Sequence, residues 1–158
     1  MNNNLAYSQK GLALTKSFEG LRLKAYQDSV GVWTIGYGHT GPDVHPHLTI
    51  IEQQAEKLLL NDIASAVAAV NRLVTVMVTQ NQFDALVDFV FNLGAGRFAG
   101  STLLRELNAG NHAVAASHFS QWVHAGEQIL PGLVARRNAE QALFLAKDEA
   151  AESAAANS

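Results

Sequence analysis

Apolar residues recur at helical spacing through most of the chain, with one early interruption. Ser8 is placed as a helix N-cap, and Leu5, Leu12, Leu14 and Phe18 give the first helix an apolar face that ends beside Glu19. After Glu19 the helical spacing stops. Val32, Trp33, Thr34, Ile35 and Tyr37 are strand formers, and Asp28-Ser29-Val30-Gly31 reads as the turn of a hairpin. Thr49 and Glu52 spell a capping box. It opens a long amphipathic helix to about Arg72, with Ile51, Ala55, Leu58, Leu59, Ile63, Ala66, Val67 and Val70 on one face. Thr79 and Gln82 form a second box, and Phe83, Leu86, Val87, Val90 and Phe91 make the buried stripe of a helix that stops at Gly94. A short helix is expected from Gly100-Ser101 to Gly110. Asn111 caps another that carries His112, His118, Phe119 and Trp122. Pro131 opens the last helix, whose apolar face is Leu133, Ala135, Ala139, Ala142, Leu143 and Leu145. The class is α+β, with one small hairpin among helices. Size gives a single domain over 1–158, which the long helix can divide into a sheet-containing lobe of about 8–60 and a helical lobe of about 61–148, and the small polar residues of 149–158 read as a frayed tail.

Composition narrows the function classes. The chain has 158 residues, 48% of them hydrophobic, which suffices for one core-bearing domain. It has no cysteine, so neither a disulfide framework nor a thiolate metal site is available. The net charge of -3 speaks against nucleic acid as partner and against strong electrostatic attachment to an anionic wall. No apolar run reaches the length of a signal peptide or a membrane span.

The chemistry concentrates between Phe18 and Gly41. Glu19 is followed nine positions later by Asp28 and six after that by Thr34. Gly31, Gly36, Gly38 and Gly41 crowd the same stretch. A hairpin about Val30-Gly31 brings Thr34 back alongside Asp28 and faces Glu19 at the end of its helix. The negative helix terminus and apolar neighbours disfavour a charge on Glu19, while Asp28 sits on a wetter turn. Two carboxylates in contrasting environments suit an acid and a base, the pairing that glycoside hydrolysis uses. Thr34 is placed to hold a water with its hydroxyl.

Other signals carry less. Gly36, Gly38 and Gly41 spell G-x-G-x-x-G, but a Pro-containing loop follows in place of a helix, so no dinucleotide site is expected. His45 and His47 flank Pro46 with no ligand pattern of acids around them, and no metal is expected. His39 is expected to hydrogen-bond a buried acid. His112, His118 and His124 recur every six residues, which on a helix would place them on different faces.

The run Glu19-Gly20-Leu21-Arg22-Leu23-Lys24-Ala25-Tyr26-Gln27-Asp28, then Gly31-Val32-Trp33-Thr34-Ile35-Gly36-Tyr37-Gly38-His39, resembles the phage-type lysozymes, the endolysins of glycoside hydrolase family 24. Phe91 to Leu104 and Gly132 to Glu140 extend the resemblance, which covers about residues 8 to 146. It implies a lysozyme-like fold with a cleft between lobes. It implies hydrolysis of the β-1,4 bond between N-acetylmuramic acid and N-acetylglucosamine in peptidoglycan, for host cell lysis. Glu19 is then the general acid, and Asp28 and Thr34 place the attacking water, with inversion at the anomeric carbon. Tyr37, His39 and Phe91 are candidate sugar contacts. Arg136 or Arg137 either reaches an acid in the cleft or forms a surface or interlobe ion pair. No cofactor is implied. A monomer is expected, accumulating in the host bacterial cytoplasm and reaching the wall through a separate holin. A lytic transglycosylase and a non-enzymatic wall-binding module are the other readings; the Glu-Asp-Thr set argues against both.

Overall fold

The computed structural model describes residues 3–147; the expected frayed tail, 149–158, lies outside them. The elements are α1 (Gln9–Glu19), β1 (Arg22–Gln27), β2 (Trp33–Gly36), β3 (His39–Thr40), α2 (Glu52–Leu73), α3 (Gln80–Leu93), α4 (Ala95–Ala99), α5 (Thr102–Asn108), α6 (His112–Ser117), β4 (His124–Ala125), β5 (Gln128–Ile129) and α7 (Pro131–Leu145). A single 3₁₀ turn, Phe119–Gln121, follows α6. Two compact units emerge. One is Leu12–Ser65; the other gathers the described residues up to Gly11 with those from Ala66 onward. No helix among the described residues is long and apolar enough to cross a membrane.

The first unit holds a three-stranded antiparallel sheet in the order β1-β2-β3. Its hairpin turn lies where Asp28 and Gly31 demand it: Gly31 donates to the Asp28 carbonyl at 3.0 Å and has φ +87°. The register pairs Tyr26 with Thr34 and Gln27 with Trp33, then breaks before Arg22 meets Gly36. Through that break β1 turns to a second partner. Ala25 donates to Leu48 O and Ile50 donates to Leu23 O, both at 2.9 Å. The segment 48–50 thus ties the loop after β3 to the sheet. Ala25, Ile35 and Val44 form the unit's small core, with Trp33, Leu48, Ile50 and Leu58 against it.

The helical unit is built around α3, of which nine residues from Asn81 to Val90 are buried. Thr79 and Gln82 close the expected capping box, and Gly94 ends the helix at φ +98°. Phe89 meets Phe98, Phe119 and Trp122 edge to face, with centroids 6.0, 5.5 and 5.8 Å away. Asp84, fully buried, accepts from the Ser8 N–H and hydroxyl and from Gln80, which anchors the start of α1 to this unit.

Four local expectations are corrected. The long helix begins at Glu52, not at a box on Thr49. Gln54 Oε1 accepts from Ile51 N at 2.9 Å, whereas Thr49 Oγ1 turns to His47 O. His112, His118 and His124 share no helix, because α6 ends at Ser117 and His124 starts β4 of a small hairpin. The short α4 and strand β3 also appear where no element was expected. The buried positions of α7 are Arg136, Arg137, Glu140 and Phe144, while Leu145 is 60% exposed. That burial rules out a surface ion pair for these arginines. Arg136 bonds Asp88 through two nitrogens at 2.9 Å, and Arg137 bonds Glu140 and Asn92 and donates to Trp122 O. An apolar-stripe count misses this face because its partner acid comes from another helix, 48 residues away.

Candidate active site

The three residues expected to be catalytic, Glu19, Asp28 and Thr34, fall within the sheet-containing unit, as do Tyr37 and His39. Glu19 is the last residue of α1, and Gly20, at φ +73°, ends the helix by donating to Lys16 O at 3.0 Å. The Glu19 carboxylate rests against the turn after β2. A β-carbon added at Gly38 would sit 3.1 Å from Glu19 Oε1, and Gly38 itself has φ +83°. Only glycine both adopts that backbone without strain and leaves the carboxylate its place. The spacing of the glycines is the sequence signal for this close approach, and only the fold shows which glycine makes it.

Asp28 and Thr34 are joined through one peptide. Asp28 Oδ1 accepts from Val30 N and Val32 N, each at 2.9 Å. The Val32 carbonyl accepts from Asp28 N at 2.9 Å and from Thr34 Oγ1 at 2.9 Å. One carboxylate oxygen of Asp28, Oδ1, is therefore locked in the turn. Thr34 is 4% exposed and its single donor is used on Val32, so only the lone pairs of its hydroxyl remain to accept.

His39 lies between two acids. Its Nδ1 is 2.8 Å from Asp62 Oδ2 and its Nε2 is 3.0 Å from Asp43 Oδ2. The buried acid expected as its partner is thus a pair of more exposed ones, Asp62 at 33% and Asp43 at 58% of side-chain surface. Burial alone would push the imidazolium down. The hydrogen bonds and charges of Asp62 and Asp43 outweigh it, and His39 titrates above the ordinary 6.5. His39 in turn holds Asp43 below the usual carboxylate range. The raised histidine stabilises the fold fully below pH 6.5 and stops doing so as pH rises through its folded value. Replacing Asp62 with Asn should therefore cost stability chiefly on the acid side, about 0.5–1 kcal/mol near pH 5, with the deficit shrinking toward pH 9. Thermal melts of both proteins across that range read it, and a deficit that grows with pH would refute the pairing.

Tyr37 is buried, with Lys16 Nζ 5.6 Å from its ring centroid and Lys16 paired to Glu56 at 2.7 Å. Phe91 is half-buried near the end of α3 in the helical unit. Among the described residues no cluster of three or more His, Cys, Asp or Glu is arranged to hold a metal ion.

The phage lysozyme family model matches residues 16–140, which contain all of these side chains. The chain belongs to the phage lysozyme family. The endolysin of Bacillus phage B103 is 52% identical over 140 residues, 87% of this chain and 53% of that protein. The endolysin of Acyrthosiphon pisum secondary endosymbiont phage 1 is 48% identical, over 87% of this chain and 96% of its own length. This phage lysozyme chain thus spans about half of one such relative and nearly all of another. Among solved structures, the muramidase domain of SpmX from Asticaccaulis excentricus superposes with a TM-score of 0.84 at 41% identity, covering 91% of this chain and 100% of that one. The lysozyme-like α+β fold follows directly from that likeness.

Proposed function

We propose that this chain is an endolysin, a muramidase that hydrolyses the β-1,4 bond after N-acetylmuramic acid in peptidoglycan. The observation that carries the reading is the placement of a glutamate, an anchored aspartate and a buried threonine around one small sheet. Glu19 protonates the leaving glycosidic oxygen. Asp28 Oδ2 takes a proton from the attacking water, which Thr34 orients by accepting its second hydrogen bond. The locked Oδ1 keeps the free oxygen aimed, so the base needs no reordering as the reaction proceeds. A water activated by a carboxylate across the ring from the acid gives inversion. The muramidase and endolysin names of the similar proteins support the substrate class.

Digestion of purified peptidoglycan in ¹⁸O-labelled water, followed by mass spectrometry of the muropeptides, tests the reading. The label should appear at free reducing-end muramic acid. Unlabelled anhydro ends would mean transglycosylation and would remove the roles given to Asp28 and Thr34. No soluble product would leave a wall-binding module.

A further inference from the structure

The sheet-containing unit carries a cavity of about 410 Å³ that none of the proposed chemistry uses. That size falls within the roughly 300–1,000 Å³ of small-molecule sites. Gln54, Lys57, Leu58 and Asn61 line one wall. Their spacing of i, i+3, i+4 and i+7 places them on a single face of α2. Asp43, Leu48 and Ile50 form the other wall. That wall is held in place by backbone bonds, since Leu48 O takes the Ala25 N–H and Ile50 N donates to Leu23 O. Leu48, Ile50 and Leu58 turn one side to the Ala25-Ile35-Val44 core and are only partly buried, so they offer the cavity an apolar floor.

The polar groups around that floor have capacity to spare. Neither the Lys57 nor the Asn61 side chain has a hydrogen-bond or ion-pair partner among the described residues. The Gln54 carbonyl is used on Ile51 N, which leaves its NH₂ as a donor. The ammonium of Lys57 suits a carboxylate, and the Asn61 amide can meet a peptide group with both an acceptor and a donor. The lining includes no aromatic ring on which a sugar would stack. We propose that this cavity binds a short acyl peptide ending in a carboxylate, with its small side chains on Leu48, Ile50 and Leu58 and its carboxylate on Lys57. Given the muramidase reading, on which this extension rests, such a ligand is the peptide stem of the glycan. Asp43 joins the cavity to His39, the neighbour in sequence of the Gly38 that seats Glu19. A stem held here helps to register the strand on the sheet.

The test is a ¹⁵N–¹H NMR titration with acetyl-D-alanyl-D-alanine. Amide shifts should concentrate within 43–61 and saturate with a dissociation constant of about 1–10 mM, an ordinary value for so small a ligand. Lys57→Met should weaken binding about fivefold, and the C-terminally amidated peptide should lose a similar factor on the wild-type protein. Lys57 is exposed, so the variant should fold as the wild type does. Absence of saturating shifts in 43–61, or equal affinity for the acid and the amide, would overturn the proposal. So would N-acetylglucosamine oligomers shifting the same residues more strongly. Binding is read without turnover, so an inactive enzyme would count against the muramidase reading alone.

Discussion

Glu19→Gln should abolish wall clearing and leave the fold at least as stable as before. Loss of a positioned general acid removes about 10²–10⁴-fold in rate, and a glycosidic oxygen is a poor leaving group without its proton. The substitution is isosteric, so the side chain fits the space that the missing β-carbon of Gly38 leaves it. Stability should hold or rise because Glu19 is the last residue of α1, where a negative charge meets the negative end of the helix dipole. Removing such a charge is worth about 0.3–1 kcal/mol at most sites. The two measurements are the rate of turbidity loss on a purified wall suspension and a thermal melt. A Gln variant that clears walls within a few-fold of the wild-type rate would sink the acid assignment. A variant that neither clears walls nor folds would say that Glu19 is structural.

Arg137→Met should cost about 3–5 kcal/mol, the loss seen when one partner of a buried ion pair is removed. Arg137 is 1% exposed and Glu140 is fully buried, with Nε to Oε1 at 2.6 Å and Nη2 to Oε2 at 2.9 Å. The same guanidinium holds Asn92 and lies 5.3 Å from the Phe89 centroid. Without it, Glu140 is a buried carboxyl beside Asp88. Burial first, then the hydrogen bond and charge of Asp88, already raise the Glu140 proton affinity well above the ordinary 4.5, against the pull of Arg137. The sign follows from linkage. A folded state that holds a proton more tightly than the unfolded one loses stability as pH rises above about 4.5. Removing Arg137 should steepen that decline, so the variant is least stable at neutral and alkaline pH. Adding Glu140→Gln should recover part of the loss, because the uncompensated charge goes with it. Urea unfolding of the single and double variants at two pH values reads both claims. A single-variant cost below about 1 kcal/mol would mean that water or a shifted side chain satisfies Glu140.

Both variants concern charges, and they differ in how far the sequence exposes them. Glu19 announces itself through its neighbours in the chain. A helix that must end at Gly20, a turn that must form at Asp28 and Gly31, and a strand rich in β-branched and aromatic residues are all local demands. Each is met by groups at most a few residues apart, so the order of residues alone determines them. The capping box on Thr79 and Gln82, the stop at Gly94 and Pro131 at the head of α7 belong to the same class. The box expected on Thr49 fails for a local reason too, since Gln54 competes for the helix start and wins.

The rest was decided by tertiary structure. Nothing local in the sequence says that His39 will meet Asp62, 23 residues away on α2, or that Asp88 will meet Arg136, 48 residues on. Nothing says that β1 will leave β2 midway to pair with 48–50. A charged side chain reads as solvent-facing until its counter-charge is brought beside it, and only the folded chain does that. For this protein the sequence by itself determined the turn at Asp28 and Gly31, the helix ends at Gly20, Thr79, Gly94 and Pro131, and the spacing of the Glu-Asp-Thr set. The tertiary structure decided which charges are buried, which partner each one takes, and how the Val32 peptide and Gly38 hold the three candidate groups in place.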